Sequence, residues 1–319
     1  MVKTFLEMIK LLESGKIKLH DELEKIVLTS SFSNLAYVDG RKTARKLGFD
    51  VWQEIKLKRK YPEDTLKRKL KIKNLYTDSQ AFPDFMFKSV ESQNSQLVGG
   101  EILELKDSKG SNIASFNSTI PTEYKTLKEI ERLNGPKGKI VIKIAELFDK
   151  NSHNREWKTY KRKCFYMIRT NRADNKKIKV SIVDGAFFET IPEEKLISSM
   201  FQNIFDKHAK EYGIPDSVRQ SAMQVFQYLM DHSLISFSQD IPNASIKPRL
   251  RIMAEAKIEG NPHWEKYNVP PATLNLIVKK DDESKIAKKI IEESELPVDI
   301  FTIQHQKDGD FLVFSYKVR

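Results

Sequence analysis

The chain has 319 residues, 39% hydrophobic and 31% charged, and contains no apolar run near the ~18 residues that a membrane-spanning helix needs. Its one cysteine, Cys164, excludes an internal disulfide framework and makes a reducing cytoplasm the expected location. The net charge of +11 points to a polyanionic partner, nucleic acid before an anionic membrane.

Phe5, Met8, Ile9 and Leu12 recur at helical spacing and predict a helix over residues 2–14, ended by Gly15. Its lysines and glutamate set it apart from a signal peptide. A second helix is expected over 20–29, capped near Asp21. Residues 34–60 read as helical in parts, broken at Gly40 and Gly48, with Leu35, Val38, Leu47, Val51, Trp52 and Ile55 as the buried face. Arg41, Lys42, Arg45, Lys46, Lys56, Lys58, Arg59 and Lys60 lie in the same segment, and Lys67, Arg68, Lys69, Lys71 and Lys73 follow. Such clusters serve either as a solvated face or as contacts to phosphate. Residues 66–76 alternate apolar and basic and predict a strand.

Residues 82–107 carry the chemistry. Phe82–Val90 and Glu101–Lys106 read as two strands around a polar loop that closes on Gly99-Gly100. Pro83 sits at the start of the first, where a missing N–H is tolerated. Alternation along the second puts Glu104 and Lys106 on one face and Leu105 on the other. Antiparallel pairing brings Asp84 beside Glu104, and two carboxylates with an ammonium suit a hard divalent cation such as Mg²⁺.

Acid-x-Lys triplets also occur at Glu54-Ile-Lys56, Asp107-Ser-Lys109, Glu123-Tyr-Lys125, Glu156-Trp-Lys158, Glu193-Glu-Lys195 and Glu255-Ala-Lys257. Pro-Asp recurs at Pro215-Asp216, where it opens a helical pattern. What separates Asp84…Glu104-x-Lys106 is its context, with both halves on expected strands and a helix and another strand after them.

Pro83, Asp84, Glu104 and Lys106 together resemble the PD-(D/E)xK nuclease superfamily, and the text GGEILELKDSKGSNIASFNSTIP, residues 99–121, resembles type II restriction endonucleases in particular. The likeness covers residues 82–121. It implies an α/β (α+β) fold with a central mixed sheet flanked by helices. It implies Mg²⁺ held by Asp84, Glu104 and the main-chain carbonyl of Leu105, with Lys106 acting on the attacking water or the transition state. It further implies double-stranded DNA as substrate, a homodimer, and a cognate DNA methyltransferase as genetic partner. A further acid from an upstream helix is common in the superfamily; Glu54 and Glu63 stand as candidates, though a surface salt bridge is the better reading of each.

The stretch 107–121 is polar and lies directly beyond the expected catalytic strand. Lys109, Asn112, Asn117, Ser118 and Thr119 carry donors and acceptors suited to phosphates or base edges; the same residue types also favour turns. Thr122 is expected to cap a helix running to Leu133, and residues 138–148 to form a strand. Strands are expected at 162–170 and 177–184 around a basic loop with Arg172, Lys176 and Lys177; Asp184, at a strand end, is a candidate site residue, though Asp-Gly is more often a turn.

Two amphipathic helices are expected over 193–212 and 215–233, broken at Gly213-Ile214-Pro215. Their apolar faces suit packing within the domain or a dimer contact. Beyond them, Arg249–Ile258 and Thr273–Lys279 read as strands, Asp281–Ser294 as a helix, and Phe301–His305 with Phe311–Lys317 as a hairpin. The six histidines are isolated from one another, which argues against zinc. The expected organisation is a helical region 1–65, a nuclease core 66–192, and a region 193–319 that is either a helical pair with its own α+β module or an extension of the core sheet. The function expected is sequence-specific, Mg²⁺-dependent cleavage of duplex DNA; the alternatives are a general or structure-specific nuclease and a non-catalytic nucleic-acid binder.

Overall fold

The computed structural model describes residues 1–31, 34–39, 76–78, 82–87, 101–111, 116–117, 121–126, 129–130, 161–188, 193–231, 253–254 and 264–318. They form two units, one built from 1–115, 121–189 and 255–319, the other from 116–120 and 190–254.

The larger unit begins with α1 (Val2–Glu13) and α2 (Leu23–Ser31). Gly15 takes φ +68° just past α1, the left-handed position that lets the chain reverse after the helix. Asp21 stands two residues before α2. Its carboxylate accepts the Lys18 N–H at 3.0 Å in the preceding turn, and α2 starts at Leu23.

The next element corrects the expectation of a helix. Leu35–Asp39 is a strand, β1, pairing parallel with β2 (Tyr76–Asp78) and antiparallel with β3 (Phe85–Phe87). Leu35 and Val38 are buried as expected, but on a sheet, where β-branched and aromatic residues fit the pleated surface. The expected helical stretch beyond it, the basic residues 41–73, Glu54, Glu63 and the strand at 138–148 lie outside the described residues.

The sheet continues through β4 (Ile102–Asp107), β7 (Lys161–Thr170), β8 (Lys179–Asp184), β10 (Thr273–Lys279), β12 (Gly309–Lys317) and β11 (Asp299–His305). Among the described residues it has ten strands in the order β11-β12-β10-β8-β7-β4-β3-β1-β2, with β6 (Tyr124–Thr126) pairing β7 from off this path. β4 runs parallel to β7, and β8 parallel to β10; the β3–β4 and β7–β8 pairs are antiparallel. The sheet is therefore mixed. β10, β11 and β12 extend it, so the C-terminal part joins the core sheet and forms no module of its own. The domain boundaries consequently differ from a division at 65 and 192.

Period-two alternation sorts the side chains onto two faces. Phe85, Phe87, Leu103, Leu105, Phe165, Met167, Val180, Ile182, Leu274, Leu276, Val278, Phe314 and Tyr316 point to one face. There they share one apolar cluster with Phe5, Met8 and Ile9 of α1, with Ile26 and Val27 of α2, and with Ala287 and Ile291 of α6 (Asp282–Glu292). α6 carries a full capping box between Asp281 and Ser284. The alternate residues of the same strands, including Glu104 and Lys106, lie on the opposite face.

Residues 122–126 correct a second expectation. Thr122 opens no helix; its chain runs into β6, which pairs with Lys161–Lys163 of β7. The cap falls four residues later. Thr126 Oγ1 accepts the Glu129 N–H at 3.2 Å, and Glu129 Oε2 accepts the Thr126 N–H at 2.7 Å. Thr126-x-x-Glu129 is the reciprocal capping pattern, legible in the chain text.

In the smaller unit α3 (Glu193–Glu211) and α4 (Asp216–Asp231) form a helical hairpin, and β5 (Phe116–Asn117) pairs with β9 (Met253–Ala254). Ile204, Tyr212, Val218, Val225 and Tyr228 of the hairpin are exposed. The short helix α5 (Trp264–Tyr267) leads into β10. No helix among the described residues is long and apolar enough to cross a membrane.

Candidate active site

The register of the β3–β4 hairpin builds the site. Phe85 stands opposite Leu103 and Met86 opposite Ile102, and the Phe87 N–H donates to Glu101 O at 2.9 Å. In an antiparallel ladder, hydrogen-bonded and non-hydrogen-bonded positions alternate. Continued by one residue, the register sets Asp84 against Glu104 at a non-hydrogen-bonded position, where side chains approach most closely. Continued by two, it sets Pro83 against Leu105 at a position where a ladder bond would form. Proline has no N–H to give the Leu105 carbonyl. The Leu105 N–H turns to Asp84 and donates to its Oδ2 at 2.8 Å. Amide and carbonyl of one strand residue point to the same side, so that carbonyl lies on the Asp84 side of β4.

The Asp84 backbone meets the Glu104 carboxylate. The Asp84 N–H donates to Glu104 Oε2 at 3.3 Å, and Lys106 Nζ lies 3.1 Å from Glu104 Oε1. Asp84 is buried, while Glu104 and Lys106 are partly open. Leu105, on the other face, is anchored in the apolar cluster, which fixes the twist of the strand that displays its neighbours.

β7 forms the wall beside Glu104. Tyr166 stands opposite Glu104 in the parallel ladder, its hydroxyl accepting the Thr122 N–H at 3.1 Å and its ring edge-on to Phe188 at 5.1 Å. Burial pushes the Tyr166 phenol well above its usual range, so it stays neutral. Cys164, two residues earlier, is buried, and burial raises its thiol too, which disqualifies it as a nucleophile at neutral pH.

Two of the competing acid-x-Lys triplets, at Asp107 and Glu123, have their acids engaged elsewhere. Asp107 accepts from Arg169 Nε at 2.9 Å, from Arg169 Nη2 at 2.6 Å and from Arg172 Nη1 at 2.9 Å. Burial alone raises the Asp107 carboxyl, but the two guanidiniums outweigh it and hold the group below the usual carboxylate range. Arg169, fully buried, also donates to Leu19 O and Asp21 O, so the end of β4 is tied to the α1–α2 connection. Glu123 lies 3.8 Å from Lys163, whose ammonium is 3.0 Å from Asp184 and 3.8 Å from Glu283. Asp184 also accepts the Ala186 N–H at 3.0 Å, the turn role expected of Asp-Gly. Glu101 is buried and pairs with the Met1 ammonium, away from the Asp84 face. Sequence reading missed the Asp107–Arg169–Arg172 clamp, because its partners stand 62 and 65 residues apart with no local pattern.

The residues expected to read DNA are divided. Lys109 is exposed just beyond β4, whereas Asn117 lies in β5, a strand rather than a loop, and in the smaller unit. Asn112, Ser118 and Thr119 lie outside the described residues.

Among the described residues no cluster of three or more His, Cys, Asp or Glu side chains is arranged to hold a metal. Mg²⁺ is commonly held by one or two carboxylates with water completing its shell. The Asp84 and Glu104 carboxylates and the Leu105 carbonyl are oxygen donors of the kind that this ion takes. No family model, no curated protein and no solved structure matches the chain.

Proposed function

We propose that the protein is a Mg²⁺-dependent endodeoxyribonuclease of the type II restriction class, acting as a homodimer on double-stranded DNA. The observation that carries this reading is the register pair Asp84–Glu104 with Lys106 on the same strand face. Asp84, Glu104 and the Leu105 carbonyl would hold the ion. Bound there, Mg²⁺ supplies positive charge at the transferring phosphoryl group and acidifies coordinated water. Lys106 Nζ, held by Glu104, orients the attacking water and stabilises charge developing on the phosphate. The Leu105–Asp84 bond keeps the Asp84 carboxylate turned toward β4. Tyr166 and Phe188 close the β7 side with a neutral, aromatic wall.

The net charge of +11 supports a polyanionic substrate. Cutting both strands at a symmetric site is most simply done by a twofold dimer. The exposed Val218, Val225 and Tyr228 of α4 offer an apolar surface for it.

Digestion of a supercoiled plasmid with Mg²⁺ tests the reading. Discrete linear fragments are expected, with activity lost in EDTA. Smearing or structure-specific nicking would make the protein a general nuclease of the same chemistry. A gel shift without cleavage would make it a binder, and full activity in EDTA would remove the metal mechanism.

A further inference from the structure

β4 ends one residue after Lys106, and the segment that follows does not leave the sheet freely. Ser108 N–H donates to Arg169 O at 2.9 Å, Asn171 N–H to Gly110 O at 2.8 Å, and Arg172 N–H to Ser108 O at 3.4 Å. Residues 108–111 are thereby stitched to the turn between β7 and β8. That turn is itself pre-formed. Asn171 takes φ +53°, and Asp174 Oδ1 accepts the N–H groups of Lys176 at 2.9 Å and Lys177 at 3.2 Å. Asn and Asp are the residues that stabilise such turns.

The joined surface is basic. Lys109, Lys176 and Lys177 are exposed and Arg172 is partly so, against the one carboxylate of Asp174. The Lys177 ammonium stands 3.9 Å from Asp174, a loose pairing that leaves it open to other anions. Asp107, at the end of β4, is already neutralised by Arg169 and Arg172. Because β4 and β7 run parallel, their C-terminal ends lie together, and the turn stands at the end of the sheet that carries Lys106.

We propose that this paired surface, Ser108–Ser111 with the β7–β8 turn, grips the phosphate backbone of duplex DNA beside the Asp84–Glu104–Lys106 site, with Lys176 and Lys177 as phosphate contacts and Arg172 as the link between Asp107 and that surface. The identity of the partner rests on the nuclease reading. The geometry suits positioning rather than base reading. Lysines act as point charges on phosphate, and a turn held by backbone bonds keeps its shape when their side chains are removed.

The test is a fluorescence-anisotropy titration of a labelled duplex, with Ca²⁺ in place of Mg²⁺, at several salt concentrations. Wild type is compared with the Lys176→Ala/Lys177→Ala variant and with a Lys285→Ala/Lys289→Ala control on exposed positions of α6. The turn variant is expected to bind more weakly and to lose about 2 from the slope of log affinity against log salt, close to 0.9 per phosphate contact. The control is expected to keep the wild-type slope. An unchanged slope in the turn variant overturns the proposal, as does an equal loss in the control. Arg172 is left intact because its removal also strips a partner from Asp107. Plasmid digestion by wild type separates the two conclusions. Salt-dependent binding through the turn without cleavage refutes the nuclease and leaves the grip standing, whereas cleavage with an unaltered slope does the reverse.

Discussion

Under the proposed mechanism Asp84 has two duties, and they dictate which substitution is informative. Its Oδ2 accepts the Leu105 N–H, so an alanine there removes a strand contact as well as a carboxylate. Asn keeps an acceptor and removes only the charge. Asp84→Asn and Glu104→Gln are each expected to lower plasmid cleavage at least ~10²-fold, since the lost charge stabilisation is several kcal/mol. Their thermal midpoints are expected to stay near that of wild type. Wild-type rates in either variant would dissolve the site. Gly185 makes a purely steric demand. A Cβ there would sit 1.9 Å from Thr122 O and 3.1 Å from Cys164 O, both backbone atoms. Gly185→Ala is expected to cost roughly 3 kcal/mol in urea unfolding, with Thr122, the partner of Tyr166, displaced. A cost under ~0.5 kcal/mol, the usual range for a surface change, would show that the Thr122 segment yields freely.

At the scale of elements, the end of β4 depends on Asp107. Burial pushes this carboxyl up, and Arg169 with Arg172 more than reverses the push, leaving its pKa below the unfolded value. The stabilisation is therefore present above the unfolded pKa, about 3.9, and is lost as pH falls through the lower, folded value. Asp107→Asn leaves the buried Arg169 without its counter-charge, at an expected cost of about 3 kcal/mol near neutral pH. Denaturant midpoints measured from pH 7 down to pH 2 are expected to fall less steeply for the variant than for wild type. Parallel curves would show that another carboxylate governs the acid limb. Because Asp107 directly follows Lys106, the same variant is expected to slow cleavage by loosening the strand end.

Across the whole molecule, the sheet has two unlike faces. One is apolar and covered by α1, α2 and α6. On the other, β8 and β10 bury Lys179, Ser181, Thr273 and Asn275. Asn275 Nδ2 donates to Thr273 Oγ1 at 2.9 Å and to Ser181 Oγ at 3.3 Å. Lys179 is only 3% exposed, and among the described residues no carboxylate pairs with it. Burial pushes its ammonium down from 10.5 to about 8. With the folded pKa below the unfolded one, the folded state binds fewer protons between pH 8 and 10.5, so stability rises with pH across that window. Lys179→Met is expected to add up to about 3 kcal/mol at pH 7 and to lack the alkaline rise. Calorimetric midpoints at pH 7 and pH 10 check both parts, and a destabilised variant would mean that the ammonium is held by something other than the strands around it.

Much of this was legible in the chain because it is local. Alternation along β4, the helical spacing of α1, α3 and α4, the left-handed Gly15, the acids that open α6 and the hairpin of β11 and β12 each depend on neighbours a few residues away. The spacing of Asp84, Glu104 and Lys106 was equally visible, since one register decision places all three. Tertiary structure decided the rest. Leu35–Asp39 carries apolar residues that suit either period, and only pairing with β2 and β3 makes it a strand. Thr122–Thr126 begins like a capped helix, but Lys161–Lys163 of β7, beyond its registers with β4 and β8, take Tyr124–Thr126 as β6, and the cap moves to Thr126. β10 lies beside β8, nearly a hundred residues earlier, so a stretch that reads alone as a small module becomes part of the sheet that holds the site. Asp107, Arg169 and Arg172 are ordinary charged residues in the text. Only the parallel meeting of β4 and β7 turns them into a clamp, because charge pairing depends on distance in space, to which sequence separation is no guide.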